Sequence, residues 1–293
     1  VSIADKFEQF HKNILIDKTD IANISYRYKQ ITKRLNLDFW GSDSETSHSL
    51  YVGSYGRDTD IHVSDVDVIF ELPVVMYEKY NNYRTNGQSA LLQVVKESVQ
   101  KTYKTTESHG DGQVVAIDFT DGIKYEIVPV FPLKDNKGYY YPDTHNGGSW
   151  KITNPKPEIK AINDKNQEWN KNLKRLCRMI RAWKDINDVP MGGLLIDTFA
   201  HNFFKNWEYK DKSYMYYDWM VRDFFEYIKE QKQEQTYWLA VGSNQYIWRK
   251  GKFESKATKA YNAVIEAIKY EDAKQEYSAN LKWREVFGTK FPN

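Results

Sequence analysis

Gly53-Ser54-Tyr55-Gly56-Arg57, followed after a short gap by Ser64-Asp65-Val66-Asp67-Val68-Ile69-Phe70, is the stretch from which the fold of this chain is read. Val66, Val68 and Phe70 alternate with Asp65 and Asp67, a period of two that predicts a strand carrying both carboxylates on one face, about 7 Å apart. Two carboxylates this close repel each other unless a cation lies between them. Mg²⁺ suits such a gap, being hard, octahedral and commonly held by one or two carboxylates together with phosphate oxygens. Ahead of the strand, Gly53 and Gly56 allow a close backbone approach and dihedrals closed to other residues. Backbone N–H groups and the Ser54 hydroxyl can then grip phosphates. The turn precedes the acids and lacks the Gly-x-x-x-x-Gly-Lys-Ser/Thr spacing, which disfavours a P-loop NTPase.

A third acidic ligand is expected on a neighbouring strand. Asp121-Gly122 is a hairpin turn signal, so 114–119 and 123–128 are predicted to pair antiparallel. Both Asp118 and Glu126 are isolated acids in otherwise apolar strands; Glu126, between Tyr125 and Ile127, is favoured and Asp118 is the alternative. Pro129 should confine that strand end to an edge or exit. With two metal ions in such a site, one would activate an attacking hydroxyl and the other would neutralise a triphosphate and its leaving pyrophosphate.

In order, the chain carries the glycine-serine turn, Asp65-Val66-Asp67, Tyr125-Glu126-Ile127-Val128-Pro129-Val130-Phe131, Trp150 with Asn154-Pro155, Arg181-Ala182-Trp183-Lys184, and Trp283-Arg284-Glu285-Val286-Phe287-Gly288 with Phe291-Pro292. This ordered set resembles the nucleotidyltransferase superfamily of DNA polymerase β type. Within it the chain is similar to the bacterial cGAS/DncV-like nucleotidyltransferases, the CD-NTases of CBASS anti-phage systems, on the oligoadenylate synthase-like branch. The resemblance implies an α+β fold: a mixed-sheet catalytic lobe, residues 1–155, with an N-terminal spine helix, and a helical lobe, residues 156–293, closing the nucleotide cleft. It implies a metal-dependent enzyme that joins ribonucleoside triphosphates, ATP and GTP among them, with release of pyrophosphate. The product would be a cyclic dinucleotide or trinucleotide second messenger reaching a downstream effector by diffusion. Asp65, Asp67 and Glu126 would be the catalytic metal ligands, holding two Mg²⁺ ions for which Mn²⁺ can substitute, and Gly53 and Ser54 would clamp the triphosphate. Glu126 stands where many relatives have Asp, and its extra methylene calls for a small rotamer or backbone adjustment. Two competing readings are a transferase that modifies a tRNA, a protein or a small molecule, and a catalytically silent nucleotide-binding regulator. Against the second, a binding module could lose the mutually repelling Asp65–Asp67 pair at little cost.

At 293 residues, with 41% hydrophobic and 28% charged residues, the chain can bury a large core and form a two-lobed unit. No apolar run approaches membrane-spanning length and the first residues lack the apolar core of a secretory signal, so a cytoplasmic location without membrane contact is expected. The single cysteine, Cys177, excludes an intrachain disulfide and reads as a small buried hydrophobe; with six scattered histidines it offers no structural zinc site. A net charge of +2 provides little steering towards nucleic acid, so no long nucleic-acid activator is implied. The 22 tyrosines and 9 tryptophans read mainly as packing groups rather than base-stacking platforms.

Helical spacing of Ile21, Ile24, Tyr28, Ile31 and Leu35 predicts a helix over 18–36, leading through a polar link to a strand at 50–52. A Tyr- and Asn-rich connection and a helix over 88–101 follow the acidic strand, and glycines and prolines mark 132–160 as an irregular connection. From 171 to 184, Leu173, Leu176, Cys177, Ile180 and Trp183 make an apolar stripe opposite Lys171, Lys174, Arg178 and Arg181. Six cations and no acid occur there, which reads as a solvated basic face or a phosphate contact; Lys171, Lys174 and Lys184 are the candidates for binding phosphate. Further helices are predicted over 194–207, 218–232, 256–270 and 271–287. His62 reads as a surface group or a support for the acids, and Arg57 and Lys124 as exposed or locally paired.

Overall fold

The computed structural model describes residues 1–61 and 65–293; His62, for which a surface or supporting role is expected, lies outside the described residues. The chain divides into two compact units, and neither is continuous in sequence.

The first unit is built on a seven-stranded mixed sheet among the described residues, with the order β1-β2-β5-β4-β3 and two strands attached beyond β5. Its strands are β1 (Ser49–Tyr51), β2 (Asp65–Glu71), β3 (Glu107–Asp111), β4 (Val114–Asp118), β5 (Lys124–Pro132), β6 (Tyr139–Asp143) and β7 (Ser149–Thr153). The expected hairpin is present: β4 and β5 pair antiparallel with Ala116 opposite Glu126, and Gly122 takes the left-handed conformation in the turn. β5 also pairs with β2, in parallel, so it is a central strand. Pro129 is tolerated there for a reason of position. Leu72 N–H donates to the Val130 carbonyl, which turns the polar groups of Val130 towards β2 and those of Pro129 the other way, past the last β4 pair at Ile127.

One face of the sheet is apolar. Val66, Val68 and Phe70 of β2, Tyr125 and Ile127 of β5, and Val115 and Ile117 of β4 are buried there against Ile24, Ile31 and Leu35 of α2 (Lys18–Trp40) and Leu91, Leu92 and Val95 of α5 (Gly87–Gln100). The helix expected over 18–36 begins at its Asp17 cap and runs on to Trp40, where Gly41, at φ 64°, closes it. The Tyr- and Asn-rich connection holds a further helix, α4 (Val74–Asn81), whose Tyr77 ring packs on Phe131, Tyr140 and Trp150.

The irregular connection expected at 132–160 is instead the β6–β7 hairpin followed by α6 (Pro155–Glu168). Gly147 and Gly148, both at positive φ, form the turn between two strands, and Pro155 opens a helix, where its missing N–H costs nothing. The glycines and prolines punctuate regular elements here rather than replacing them.

The second unit is helical. It contains α6 from Pro157 onward, α7 (Asn172–Ile186), α8 (Gly193–Asn206), α9 (Tyr217–Lys229), α10 (Glu254–Asp272) and α11 (Glu276–Phe287), with a small hairpin of β8 (Tyr237–Leu239) and β9 (Tyr246–Trp248). The helix expected over 271–287 begins only at Glu276, because the chain breaks at Lys274, which has a positive φ. Residues 1–15 and a short stretch from Arg57 also belong to this unit, unlike the contiguous 156–293 lobe expected from the sequence. The reason is packing: Phe7 and Phe10 of α1 (Ile3–Asn13) are fully buried against Trp283, Phe287 and Phe291. Cys177 is buried in α7. Among the described residues no helix is long and apolar enough to cross a membrane.

Candidate active site

The opposite face of the sheet carries the acids. Because side chains alternate along a strand, Asp65, Asp67 and Ile69 of β2 point away from the apolar core, as do Lys124, Glu126 and Val128 of β5. Parallel register sets Asp65 beside Lys124 and Asp67 beside Glu126. The third carboxylate favoured from the sequence therefore adjoins Asp67 on the next strand. Asp118, the alternative, lies on the same face one strand farther out, opposite Lys124 and 3.5 Å from His109.

The glycine turn is tied to the same strand. Val52 N–H donates to the Asp67 carbonyl at 2.9 Å, and the chain then turns at Gly53 into the single helical turn α3 (Gly53–Arg57). Gly53 has φ 62°, and a Cβ at that position would lie 1.8 Å from Asp67 Oδ2. Only glycine lets the carboxylate come this close to the turn. Ser54 is the next residue, so the turn and the acid pair are neighbours in space as well as in sequence.

The donor set is all oxygen, which fits a hard divalent ion. As the side chains stand, no three acidic, histidine or cysteine groups among the described residues are gathered around one point. Glu126 accepts a hydrogen bond from Lys124 Nζ at 2.6 Å. That bond holds the Lys124 ammonium above the usual lysine range. Lys124, expected to be exposed or locally paired, is paired, and its partner is a candidate ligand.

Of the two readings of the basic helix, a solvated face or a phosphate contact, the first does not hold for Lys174 and Arg181. Its apolar stripe is buried, but so are Lys174 and Arg181, at 9% and 7% exposure. Arg181 donates to both oxygens of Asp197, at 2.6 and 2.9 Å. Lys174 pairs with Asp58 at 3.0 Å, and Lys184 with Asp185 at 2.9 Å. Lys171 is exposed and occupies the left-handed cap position of α7.

Arg57, expected at the surface or in a local pair, is 4% exposed and donates to Asp197 at 2.8 Å, with Thr59 Oγ1 donating to the same oxygen at 3.0 Å. Burial by itself would raise the Asp197 pKa, but Arg181 and Arg57 hold it well below the usual carboxylate range. The last residue of the glycine-serine turn is thus anchored by a carboxylate 140 positions away. No local sequence signal could have shown that partner.

Residues 1–166 match the family described as SMODS, the Second Messenger Oligonucleotide or Dinucleotide Synthetase domain. The chain belongs to the SMODS family. A probable cyclic nucleotide synthase of Bacillus cereus (strain VD146) is 26% identical over 229 residues, which span 73% of this chain and 66% of that protein. Several solved structures share the fold at low identity. CdnC of E. coli MS115-1, in its HORMA-deltaN complex, superposes with a TM-score of 0.74 at 13% identity, covering 99% of this chain and 98% of its own. The CD-NTase CdnG of Bradyrhizobium diazoefficiens, in complex with GTP, gives 0.70 at 10% identity over 99% and 96%. DncV of Vibrio cholerae gives 0.64 at 15% identity over 84% and 69%. The α+β, polymerase-β-like architecture expected from the resemblance is the architecture found.

Proposed function

We propose that this SMODS chain is a metal-dependent nucleotidyltransferase that joins ribonucleoside triphosphates, releases pyrophosphate and makes a cyclic dinucleotide or trinucleotide second messenger for anti-phage defence. The observation that carries the reading is the pairing of Asp67 with Glu126 on one sheet face, with Gly53 against the Asp67 carboxylate. The relative named a probable cyclic nucleotide synthase and the GTP-bound neighbour point the same way.

In this reading Asp65, Asp67 and Glu126 hold two Mg²⁺ ions, with Mn²⁺ able to substitute. The chemistry those ions supply when bound is activation of the acceptor hydroxyl and neutralisation of triphosphate charge. Gly53 and Ser54 clamp the donor triphosphate and orient its α-phosphorus towards a ribose hydroxyl of the acceptor. The hydroxyl oxygen forms the new bond to that phosphorus, its proton is lost and pyrophosphate leaves. A second transfer within the linear intermediate closes the ring once its remaining triphosphate occupies the donor position. For Lys171, Lys174 and Lys184 we propose phosphate contacts; Lys174 and Lys184 would first have to give up their carboxylate partners.

The test is incubation with Mg²⁺ and all four ribonucleotides, followed by mass spectrometry and linkage-specific nuclease digestion. A cyclic oligonucleotide made from nucleotides alone is expected, whereas strict dependence on a tRNA, protein or drug acceptor would favour the modifying transferase. The Asp65→Asn/Asp67→Asn double variant should yield no product with its melting curve retained. Wild-type nucleotide consumption by that variant would overturn the assignment.

A further inference from the structure

Lys124 occupies an unusual place on the acidic face. It precedes Glu126 by two residues on β5, so the two side chains share a face and meet at 2.6 Å. Its register partners are Asp65 on β2 and Asp118 on β4. One ammonium is therefore bracketed by carboxylates on its own strand and on both neighbours. The Lys124 and Glu126 side chains are each 26% exposed, so their pairing is partly shielded from water.

We propose that Lys124 is a built-in counter-ion of the acidic face, competing with the divalent cation for Glu126, so that ion binding is an exchange in which the ammonium is displaced. This rests on the function proposed above, because it takes Glu126 as an ion ligand. The physical reason is charge balance. Asp65, Asp67 and Glu126 repel one another when ionised, and a cation on a neighbouring side chain relieves that repulsion. Lysine suits an exchangeable role: its charge is compact and its four-carbon stem is flexible, so the ammonium can leave Glu126 without moving the strand. The exchange has a consequence for ion affinity. An incoming ion must break a charge-assisted hydrogen bond and approach a nearby positive charge, so Lys124 weakens ion binding while it keeps the carboxylates together.

The proposal is tested by titrating Mn²⁺ into the full chain and reading the free ion by electron paramagnetic resonance. Wild type, Lys124→Met, Lys124→Arg and the Asp65→Asn/Asp67→Asn double variant are compared. Lys124→Met should bind Mn²⁺ on the order of tenfold more tightly than wild type, the scale of a lost charge-assisted hydrogen bond. The rise in melting temperature that Mn²⁺ produces should also be larger in this variant. Lys124→Arg keeps the charge and should bind no more tightly than wild type. If Lys124→Met does not fold, Lys124→Gln provides the same comparison. Unchanged Mn²⁺ affinity in the neutral variants, with the ion lost from the double variant, would overturn the counter-ion role and leave the active-site reading intact. A raised KM for nucleotide with that unchanged affinity would assign Lys124 to phosphate instead. Wild-type Mn²⁺ binding by the double variant would remove both.

Discussion

Gly53 is the residue at which the site is most sensitive to a single methyl group. Its φ of 62° and the 1.8 Å that would separate an added Cβ from Asp67 Oδ2 are independent penalties at one position. Gly53→Ala is expected to cost about 1–3 kcal/mol of stability from backbone strain, and to abolish product formation by driving the Asp67 carboxylate away from the turn. Comparison of denaturant unfolding with product yield checks it; full activity in a folded Gly53→Ala protein would show that the turn and the acid pair do not act together. At this scale much was legible from the sequence. Asp65 and Asp67 share a face because they are two residues apart on a strand. The burial of Lys174 and Arg181 was not legible, because a cation on the polar face of a helix looks solvated until its partner is known. Asp58 and Asp197 are those partners.

At the scale of elements, the group formed by Asp197 on α8, Arg181 on α7 and Arg57 at the end of α3 fixes the turn's exit. Asp197 is fully buried and accepts from Arg57, Thr59 and Arg181. Removing one partner from a buried ionic group leaves uncompensated charge, a loss of about 3–5 kcal/mol. Asp197→Ala is therefore expected to destabilise the chain by that amount, measured by guanidinium unfolding, whereas Asp185→Ala, which removes an exposed pair with Lys184, should change stability by less than about 1 kcal/mol. Equal effects would deny the group its structural role. Elements declared by periodicity, such as α2, α5, α7 and the β4–β5 hairpin, were legible in the chain. The β6–β7 hairpin and the start of α6 were not, since glycine and proline mark turns and helix starts as readily as loops.

For the whole molecule, the buried titratable groups set the response to pH. Burial pushes the imidazoles of His11 and His201 down to about 4, with neighbouring cations adding to the effect. Unfolded, each titrates near 6.5, so the unfolded chain binds more protons and stability falls as pH drops from about 6.5 towards 4. Asp218 acts in the opposite direction. Burial raises its carboxyl to about 6, so its stabilisation is full below the ordinary value of 3.8 and is lost as pH rises through about 6. Burial raises the Asp60 and Glu158 carboxyls as well, and they act with Asp218. The two imidazoles, which titrate near 6.5 unfolded and about 4 folded, are expected to outweigh these acids, so the guanidinium midpoint should be lower at pH 5 than at pH 7. His201→Gln should shrink that difference, by about 2 kcal/mol. A midpoint that rises on acidification would show that the raised carboxyls of Asp60, Glu158 and Asp218 outweigh the histidines.

By itself the sequence determined the local geometry of this protein: which residues share a strand face, where the hairpin turns, which helices are amphipathic, and the order of motifs that marks the family. These follow from backbone periodicity and from the dihedral limits of glycine and proline, which act over a few residues. Tertiary structure alone decided that β5 lies parallel to β2 with Glu126 beside Asp67. It alone brought Arg57 to Asp197, placed α1 with the last helices, and left Lys124 among carboxylates of three strands. Such pairings join positions far apart in the chain, and their energies come from burial and charge balance that exist only once the sheet and the helices have assembled.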